Sequence, residues 1–254
     1  MEHIKRTLVM CMIVAGILAL VLVPSSVVSA QDKKLDLALC DPGTADFSAP
    51  LDIDNPYVRY DLVGREWTLV GDEDDETIGL KVRVTASTEE VAGIQTREVE
   101  EVEWEDDDGD GVIDPGENLI EVSINFFAQT DDGTVCYFGE EVTDYEDGVP
   151  LPGPGEGAWR ANDPGNFPGI FFPAVPVAPG MIFQQEGAPD IAEDEAKIIE
   201  IGPVEVPFGM FEQDVTVRLR EWNPLEHEKD YKVFAAGTGI LKDAELELVD
   251  LTHF

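Results

Sequence analysis

Apolar and polar residues alternate with the period of a β-strand in several segments of the chain. In "TIGLKVRVTA", Leu80, Val82 and Val84 fall on one face, and polar side chains separate them. Four further segments show the same alternation, with apolar faces formed by Val122, Ile124, Phe126 and Ala128; by Val215, Val217 and Leu219; by Tyr231, Val233 and Ala235; and by Ile240, Ala244, Leu246 and Leu248. Glycine and Asp-Gly turns lie between the segments. The pattern predicts one antiparallel all-β domain over residues 66–254, with few helices.

Two parts of the chain depart from this alternation. Residues 31–65 are polar at first and contain proline turns, which predicts an N-terminal arm. Residues 147–180 hold eight of the 17 prolines, and proline cannot donate a ladder hydrogen bond, so we expect an ordered loop or lid there. The side chains of Phe167, Phe171 and Phe172 in this segment either plug the open side of the sheet or form the wall of a ligand pocket.

The first 30 residues have the pattern of a secretory signal peptide. Lys5 and Arg6 precede an apolar run over residues 8–23, and small residues precede a cleavage point after Ala30. The run is shorter than the roughly 20 apolar residues of a membrane-spanning helix, although a retained signal anchor is the alternative. We therefore expect residues 1–30 to be removed and the mature chain to be secreted or periplasmic, without stable insertion in a membrane.

The charge balance is strongly acidic, with 54 Asp and Glu against 16 Lys and Arg and a net charge of −38. Nucleic acid is not expected as a partner, because phosphate binding needs clustered basic residues. The acidity fits cation binding, solubility at high salt or a basic partner, and a solvated acidic surface explains much of it without any ligand.

Two cysteines, Cys40 and Cys136, remain once the signal peptide is removed. In an exported chain such a pair predicts one disulfide, here between the N-terminal arm and a central strand. Two buried free thiols are the alternative, since cysteine also serves as a small apolar residue.

The segment "DDDGDGVIDPGE", residues 106–117, has the spacing of an EF-hand calcium loop. Such a loop presents oxygen ligands at positions 1, 3, 5, 7, 9 and 12, with glycine at position 6 for the sharp turn. The ligand positions are occupied by Asp106, Asp108, Asp110, the carbonyl of Val112, Asp114 and Glu117, and Gly111 occupies position 6. The segment predicts a calcium site, and a solvated acidic turn is the alternative.

The flanks of this loop differ from those of an EF-hand. "REVEEVEWE" before it and "NLIEVSINFF" after it read as strands rather than helices, which predicts a calcium loop placed on a β-hairpin. No second complete loop is visible in the sequence. We therefore expect weak calcium binding, with a dissociation constant of about 10⁻⁴–10⁻³ M. "TDDGT" at residues 130–134 is better explained as a hairpin turn.

Two segments, "NFFAQTDDGTVCYFGEEVTDYEDG" and "FAAGTGILK", resemble motifs of a family of uncharacterised exported bacterial β-rich proteins. The matching positions are Phe127, Ala128, Gln129, Asp132, Gly133, Tyr137, Phe138, Gly139, Glu140, Tyr145, Gly148, Gly237, Gly239 and Lys242. The resemblance implies a secreted domain built as a curved open sheet or half-barrel, and it implies no activity. Cys136 stands where the family usually has tryptophan, and the calcium loop would be an insertion in a hairpin.

No catalytic motif is visible in the sequence. His227 and His253 are the histidines beyond the signal peptide, and no serine lies in a nucleophile-elbow setting. Two hypotheses follow: a non-enzymatic exported calcium-binding protein that carries an apolar small molecule or binds an envelope protein, and a secreted carbohydrate hydrolase that uses paired carboxylates. Carboxylates in a shared cleft would favour the hydrolase, and a concave face lined by apolar residues would favour the carrier.

Overall fold

The computed structural model describes residues 32–73, 76–212, 215–225 and 229–253. The predicted signal peptide and His227 lie outside these ranges. The described ranges contain one helical segment, a single 3-10 turn at Leu37–Leu39. No helix within them has the length and apolar character that crossing a membrane requires.

The described chain contains seventeen strands. The first nine are β1 (Lys33–Lys34), β2 (Arg65–Glu73), β3 (Glu76–Val91), β4 (Ile94–Glu105), β5 (Leu119–Gln129), β6 (Val135–Glu146), β7 (Val149–Pro150), β8 (Trp159–Arg160) and β9 (Gly169–Phe172). The others are β10 (Met181–Gln184), β11 (Glu195–Ile201), β12 (Val204–Val206), β13 (Gly209–Phe211), β14 (Thr216–Trp222), β15 (Lys229–Ala235), β16 (Gly239–Asp243) and β17 (Leu246–His253).

Fifteen of these strands form one sheet, and β12 and β13 form a separate two-stranded ribbon. The order in the large sheet is β1-β10-β11-β14-β15-β16-β17-β2-β3-β4-β5-β6-β7, with β8 and β9 also paired to β6. The described pairings are antiparallel apart from that of β1 with β10. The predicted antiparallel all-β fold is confirmed.

Strands that are far apart in the order of the sheet line the same cavity, which shows that the sheet is strongly curved. Glu101 of β4 and Glu221 of β14 both face this cavity, although β15, β16, β17, β2 and β3 lie between β14 and β4. The N–H of Phe167, just before β9, donates to the carbonyl of Gly187, just after β10, at 2.8 Å. No strand ladder joins β9 to β10 within the described ranges, so the sheet is open.

The hydrophobic core lies on the concave side of the sheet. Trp67 and Leu69 of β2 are fully buried there. The ring of Tyr60 lies 5.9 Å from that of Trp67, 5.1 Å from that of Phe127 and 6.2 Å from that of Phe171. These contacts bring the N-terminal segment, β2, β5 and β9 together around one aromatic cluster.

The segment predicted as an N-terminal arm packs into this core. Ile53 is fully buried and Val58 is 1% exposed. The N–H of Asn55 donates to Oε1 of Gln129 at 2.8 Å, and its Nδ2 donates to the carbonyl of Gly133 at 2.9 Å. The segment is therefore held against the β5–β6 hairpin by buried hydrogen bonds as well as by apolar contacts.

The proline-rich segment is ordered and contributes the short strands β7, β8 and β9. Strand β9 contains no proline and pairs with β6. Phe172 is fully buried and its ring lies 5.2 Å from that of Tyr57, so it plugs the core. Phe171 packs 4.7 Å from Phe127 and also lines a cavity. Phe172 thus plugs the core, as the first alternative expected, and Phe171 lies at the wall of a cavity.

Candidate functional site

The acidic loop connects β4 to β5, two strands that pair antiparallel as the sequence predicted. The N–H of Glu105 donates to the carbonyl of Asn118 at 2.9 Å and closes the base of the loop. The N–H of Asp106 donates to the carbonyl of Thr77 at 2.8 Å, which fixes the first loop residue to β3. The start of the loop is therefore rigidly attached to the sheet.

Two carboxylates organise the loop through backbone hydrogen bonds. Asp106 is fully buried, and its carboxylate accepts from the N–H of Gly109 at 3.0 Å and from that of Gly111 at 2.9 Å. Glu117 accepts from the N–H of Asp107 at 3.1 Å and from that of Asp114 at 2.7 Å. The first and last ligand positions thus lie inside a curled backbone, as a calcium loop requires.

Glycine is needed at position 6 of the loop for two reasons. Gly111 has a φ of +75°, in the region that side chains with a Cβ rarely adopt. A Cβ there would also lie 3.0 Å from Cγ2 of Thr68 and 3.4 Å from Cγ2 of Val249. The loop therefore folds back closely over β2 and β17 at this point.

Three of the predicted ligands come together in space. One carboxylate oxygen from each of Asp106, Asp108 and Glu117 lies within 4.8 Å of the others. The structure does not bring Asp110 or Asp114 into this cluster. Asp110 instead accepts from the N–H of Val112 at 2.9 Å. The side chain of Val112 is 52% exposed, as suits a position that contributes only its carbonyl.

The predicted disulfide between Cys40 and Cys136 is present. Their Cα atoms are 5.6 Å apart, and both residues are fully buried. The bond ties the turn after Leu39 to β6, across 96 positions of sequence. Such bonds persist in oxidising compartments, which agrees with an extracytoplasmic location.

A second cluster of ionisable groups occupies the concave face of the sheet, in two adjoining cavities of about 140 and 170 Å³ that share Glu101. The smaller cavity is lined by five carboxylates, those of Glu101, Glu140, Glu186, Asp194 and Glu221. The larger one adds Glu73, Glu103, Glu121 and Asp243. The concave face therefore presents carboxylates beside the apolar core, whereas an apolar lining would have favoured the carrier hypothesis.

Strand register explains why these acids face inward. Directly paired residues of neighbouring strands share a face of the sheet, and Val82 pairs with Glu101, which pairs with Ser123. In the next row, Leu80 pairs with Glu103, which pairs with Glu121. The apolar inner face of β3 thus continues as a carboxylate face on β4 and β5.

Lys232 of β15 is the cation of the smaller cavity. Its Nζ lies 3.4 Å from Oε2 of Glu221 and 3.3 Å from Oδ2 of Asp243. Burial lowers the pKa of Lys232, but the charges of Asp243, Glu221 and Glu101 outweigh it and raise that pKa well above its usual value. Gln185 donates from Nε2 to Oε1 of Glu221 at 2.9 Å. Lys232 is thus a fixed positive charge with its own carboxylate partners.

Burial changes the acidity of the other carboxylates. It raises the pKa of Glu101 to about 7, with Lys232 opposing the shift and nearby carboxylates adding to it. Burial and the charge of Glu121 raise the pKa of Glu103 to about 7. Burial and the charge of Asp194 raise the pKa of Glu186 to about 8. These groups therefore change protonation state around neutral pH.

The acidic cavities were not predicted from the sequence. "EVEEVEWE" in β4 has the alternation of a strand with solvated glutamates, and only pairing with β3 reveals that Glu101 and Glu103 point inward. In β15 the predicted apolar face was partly wrong, because Tyr231 is 47% exposed. Lys232 and the buried Phe234 lie on its other face, toward the cavity and core.

No family model, curated protein or solved structure matches this chain. The predicted membership of an exported β-rich family therefore stays a prediction. The curved open sheet that this resemblance implied is present.

Proposed function

We propose that this chain is an exported, non-enzymatic calcium-binding β protein, with the ion held by the loop of residues 106–117. The observation that carries the proposal is the convergence of Asp106, Asp108 and Glu117, at loop positions 1, 3 and 12, with ligand atoms within 4.8 Å of one another. The convergence is supported by a buried Asp106 and by the glycine conformation at position 6.

The donor set fits calcium. Calcium takes six to eight oxygen ligands at about 2.3–2.6 Å, and the loop offers carboxylates and a backbone carbonyl with no nitrogen or sulfur donor. Beside the three clustered carboxylates, Asp110, the carbonyl of Val112 and Asp114 would supply the remaining oxygen ligands of a bound ion. Three carboxylates held this close repel one another, and a divalent cation removes that repulsion.

The role proposed for the ion is stabilisation of the β4–β5 hairpin. The loop rests on β3 through Thr77 and approaches β2 at Thr68, so ordering it fixes one end of several neighbouring strands. Residues 106–117 bury no large apolar side chain in the core, since Val112 and Ile113 are 52% and 40% exposed. The hairpin strands have buried residues such as Trp104 and Phe126, so the metal-free chain should still fold.

One observation favours the alternative function, a carbohydrate hydrolase. Burial gives Glu101 a pKa of about 7, which suits a proton donor, and other carboxylates share its cavity. The division of this region favours the non-enzymatic function, because Glu101 lies between two cavities of about 140 and 170 Å³, each of them small beside the roughly 300–1,000 Å³ of most ligand pockets. Hydrolysis of glycoside substrates that disappears in Glu101→Gln would support the hydrolase instead.

Equilibrium dialysis against calcium tests the proposed function. We expect one calcium ion per mature chain with a dissociation constant of about 10⁻⁴–10⁻³ M. The variant Glu117→Gln should lose this binding, because position 12 supplies two oxygens and one charge. Failure of the unaltered protein to retain calcium above the level of Glu117→Gln would contradict the proposal.

A further inference from the structure

The outer face of strands β11, β14 and β15 carries basic and aromatic side chains that the calcium loop does not use. On β14, Leu219 is fully buried and Glu221 lines the inner cavity. Strand alternation therefore turns Arg218, Arg220 and Trp222 toward the outer face. Residues paired directly across the strands share that face, and together they form what we call the basic strip: Lys34, Lys197, Arg218, Arg220, Trp222, Lys229 and Tyr231.

Two arginines of the basic strip, Arg218 and Arg220, lack an anionic partner. The Nε atom of each is buried without a hydrogen-bond partner, and neither guanidinium forms an ion pair with a described carboxylate. Each of the other described arginines donates to a carboxylate or a backbone carbonyl: Arg59, Arg65, Arg83, Arg97 and Arg160. In a chain with 54 acidic residues, two neighbouring guanidiniums without a carboxylate point to an anion from outside the chain.

The basic strip is locally positive although the chain is acidic. It holds five of the 16 basic residues of the sequence. Three described carboxylates pair with its members or lie directly opposite them: Asp32 with Lys197, Glu195 with Lys34, and Glu200 opposite Arg218. The net charge of −38 repels anions at long range, but physiological ionic strength screens this repulsion beyond about 8 Å. The groups of the strip itself therefore decide whether an anion binds there.

Aromatic side chains lie next to these arginines. The guanidinium carbon of Arg220 lies 5.3 Å from the centre of the Trp222 ring, and this stacking holds the guanidinium in place. Tyr231 lies directly opposite Arg220 on β15 and is 47% exposed. The strip thus offers an apolar ring surface beside an anion-binding group. Sugars that carry carboxylates use both, because their C–H faces pack on aromatic rings and their carboxylates bind arginine.

We propose that the basic strip binds an anionic glycan, a polysaccharide segment whose sugars carry carboxylate groups. Arg218 and Arg220 bind the carboxylates, and the ring of Tyr231 packs against a sugar. The two arginines are two positions apart on one strand, a spacing of about 7 Å, which lets them engage successive groups of an extended ligand. A second copy of the chain or an anionic membrane would bring large acidic surfaces against like charge, whereas a glycan segment contacts the strip alone.

Calorimetric titration with tetragalacturonate tests the proposal, once with calcium and once with EDTA, because the probe itself binds calcium. We expect saturable binding under both conditions, with a dissociation constant below roughly 1 mM, and no binding of the neutral maltotetraose. Absence of tetragalacturonate binding, or equal binding of maltotetraose, would overturn the proposal. Binding that requires calcium would mean that the ion bridges the probe to acidic residues, and would overturn it as well.

Two variants and a matched control connect this binding to the strip. Arg220→Gln should weaken tetragalacturonate binding about tenfold or more, because a charge-assisted hydrogen bond is lost. Arg83→Gln removes the same charge from an exposed arginine of β3 that pairs with Glu100, and should leave the affinity unchanged. Tyr231→Ser should also weaken binding, and it keeps the test open if Arg220→Gln does not fold, since Tyr231 is exposed. Unchanged affinity in the folded variant would overturn the assignment.

Three further measurements separate the glycan from the calcium loop and from other partners. Glu117→Gln should bind tetragalacturonate with unaltered affinity, because the loop connects β4 to β5 and contributes nothing to the strip; a loss of binding in this variant would reject the assignment. Tighter binding of tripolyphosphate than of tetragalacturonate would make the strip a phosphate site and reject the glycan. Self-association in sedimentation that Arg220→Gln abolishes would identify a second copy of the chain as the occupant and reject it too.

Discussion

The carboxylate of Asp106 accepts a hydrogen bond of 2.9 Å from the backbone N–H of Gly111, five positions further along the chain. This bond curls the loop around the Asp106 carboxylate, and Gly111 has a positive φ at this point. The chain thus forms a tight loop around Asp106 through its own hydrogen bonds.

Replacing Gly111 with alanine should weaken calcium binding and destabilise the fold. The positive φ costs about 1–2 kcal/mol for a residue with a Cβ, and the new methyl group would press on Thr68. Gly93→Ala is the matched control, because Gly93 has a φ of +83° but nothing within 4 Å of an added Cβ. Urea denaturation and calcium titration of both variants check this. Equal calcium affinities in the two variants would contradict the structural role assigned to Gly111.

Removing the disulfide should destabilise the chain without changing calcium affinity. The bond spans 96 positions, and closing a loop of about that length contributes roughly 2–5 kcal/mol in most proteins. The double variant Cys40→Ala with Cys136→Ala should therefore unfold at lower urea concentration. Alkylation of the unfolded, unreduced mature protein should label no thiol, and two labelled thiols would show that the bond does not form.

Stability of the calcium-free protein should fall as the pH rises from about 5 to 8. Glu101 and Glu103 have folded-state pKa values of about 7, and Glu186 has one of about 8, above the ordinary value of 4.5. Acids with raised pKa values stabilise the folded state below the unfolded pKa, and this contribution is lost as pH rises through the folded pKa. Urea denaturation in the presence of a chelator measures the effect.

The variant Glu101→Gln should flatten this pH dependence, because an amide cannot ionise. The exposed Glu205→Gln should leave the slope as it is. If the unfolding free energy fell equally with pH in the unaltered protein and in Glu101→Gln, Glu101 would have the same pKa in the folded and unfolded states. That result would contradict the prediction.

The exported protein should begin near Gln31, since the predicted cleavage point follows Ala30. Intact-mass measurement of material secreted by an expressing cell checks this. Retention of residues 1–30 in that material would favour the signal-anchor alternative.

Features fixed by neighbouring residues were predictable from the sequence. The calcium-loop spacing between Asp106 and Glu117 is local, and so is the strand alternation on both sides of it. The disulfide between Cys40 and Cys136 followed because they are the two cysteines outside the predicted signal peptide. These predictions needed no knowledge of which strands are neighbours.

The acids that face the cavities could not be predicted in the same way. Glu101 points inward because β4 pairs with β3 in a register that places it beside Val82. Its cavity is completed by Lys232, which is far away in sequence and reaches Glu101 only through the curvature of the sheet. Alternation indicates two faces of a strand, but long-range pairing decides which face is enclosed.

Calorimetric titration with calcium of the unaltered protein, Glu117→Gln and Asp132→Asn tests the central claim most directly. Asp132 is an acidic residue of the β5–β6 turn that accepts from the N–H of Thr134 at 2.9 Å, a bond that asparagine can also accept. We predict one binding event in the protein and in Asp132→Asn, and a loss of roughly tenfold or more in affinity for Glu117→Gln. Equal calcium heats from the protein and Glu117→Gln would mean that residues 106–117 form only an acidic turn.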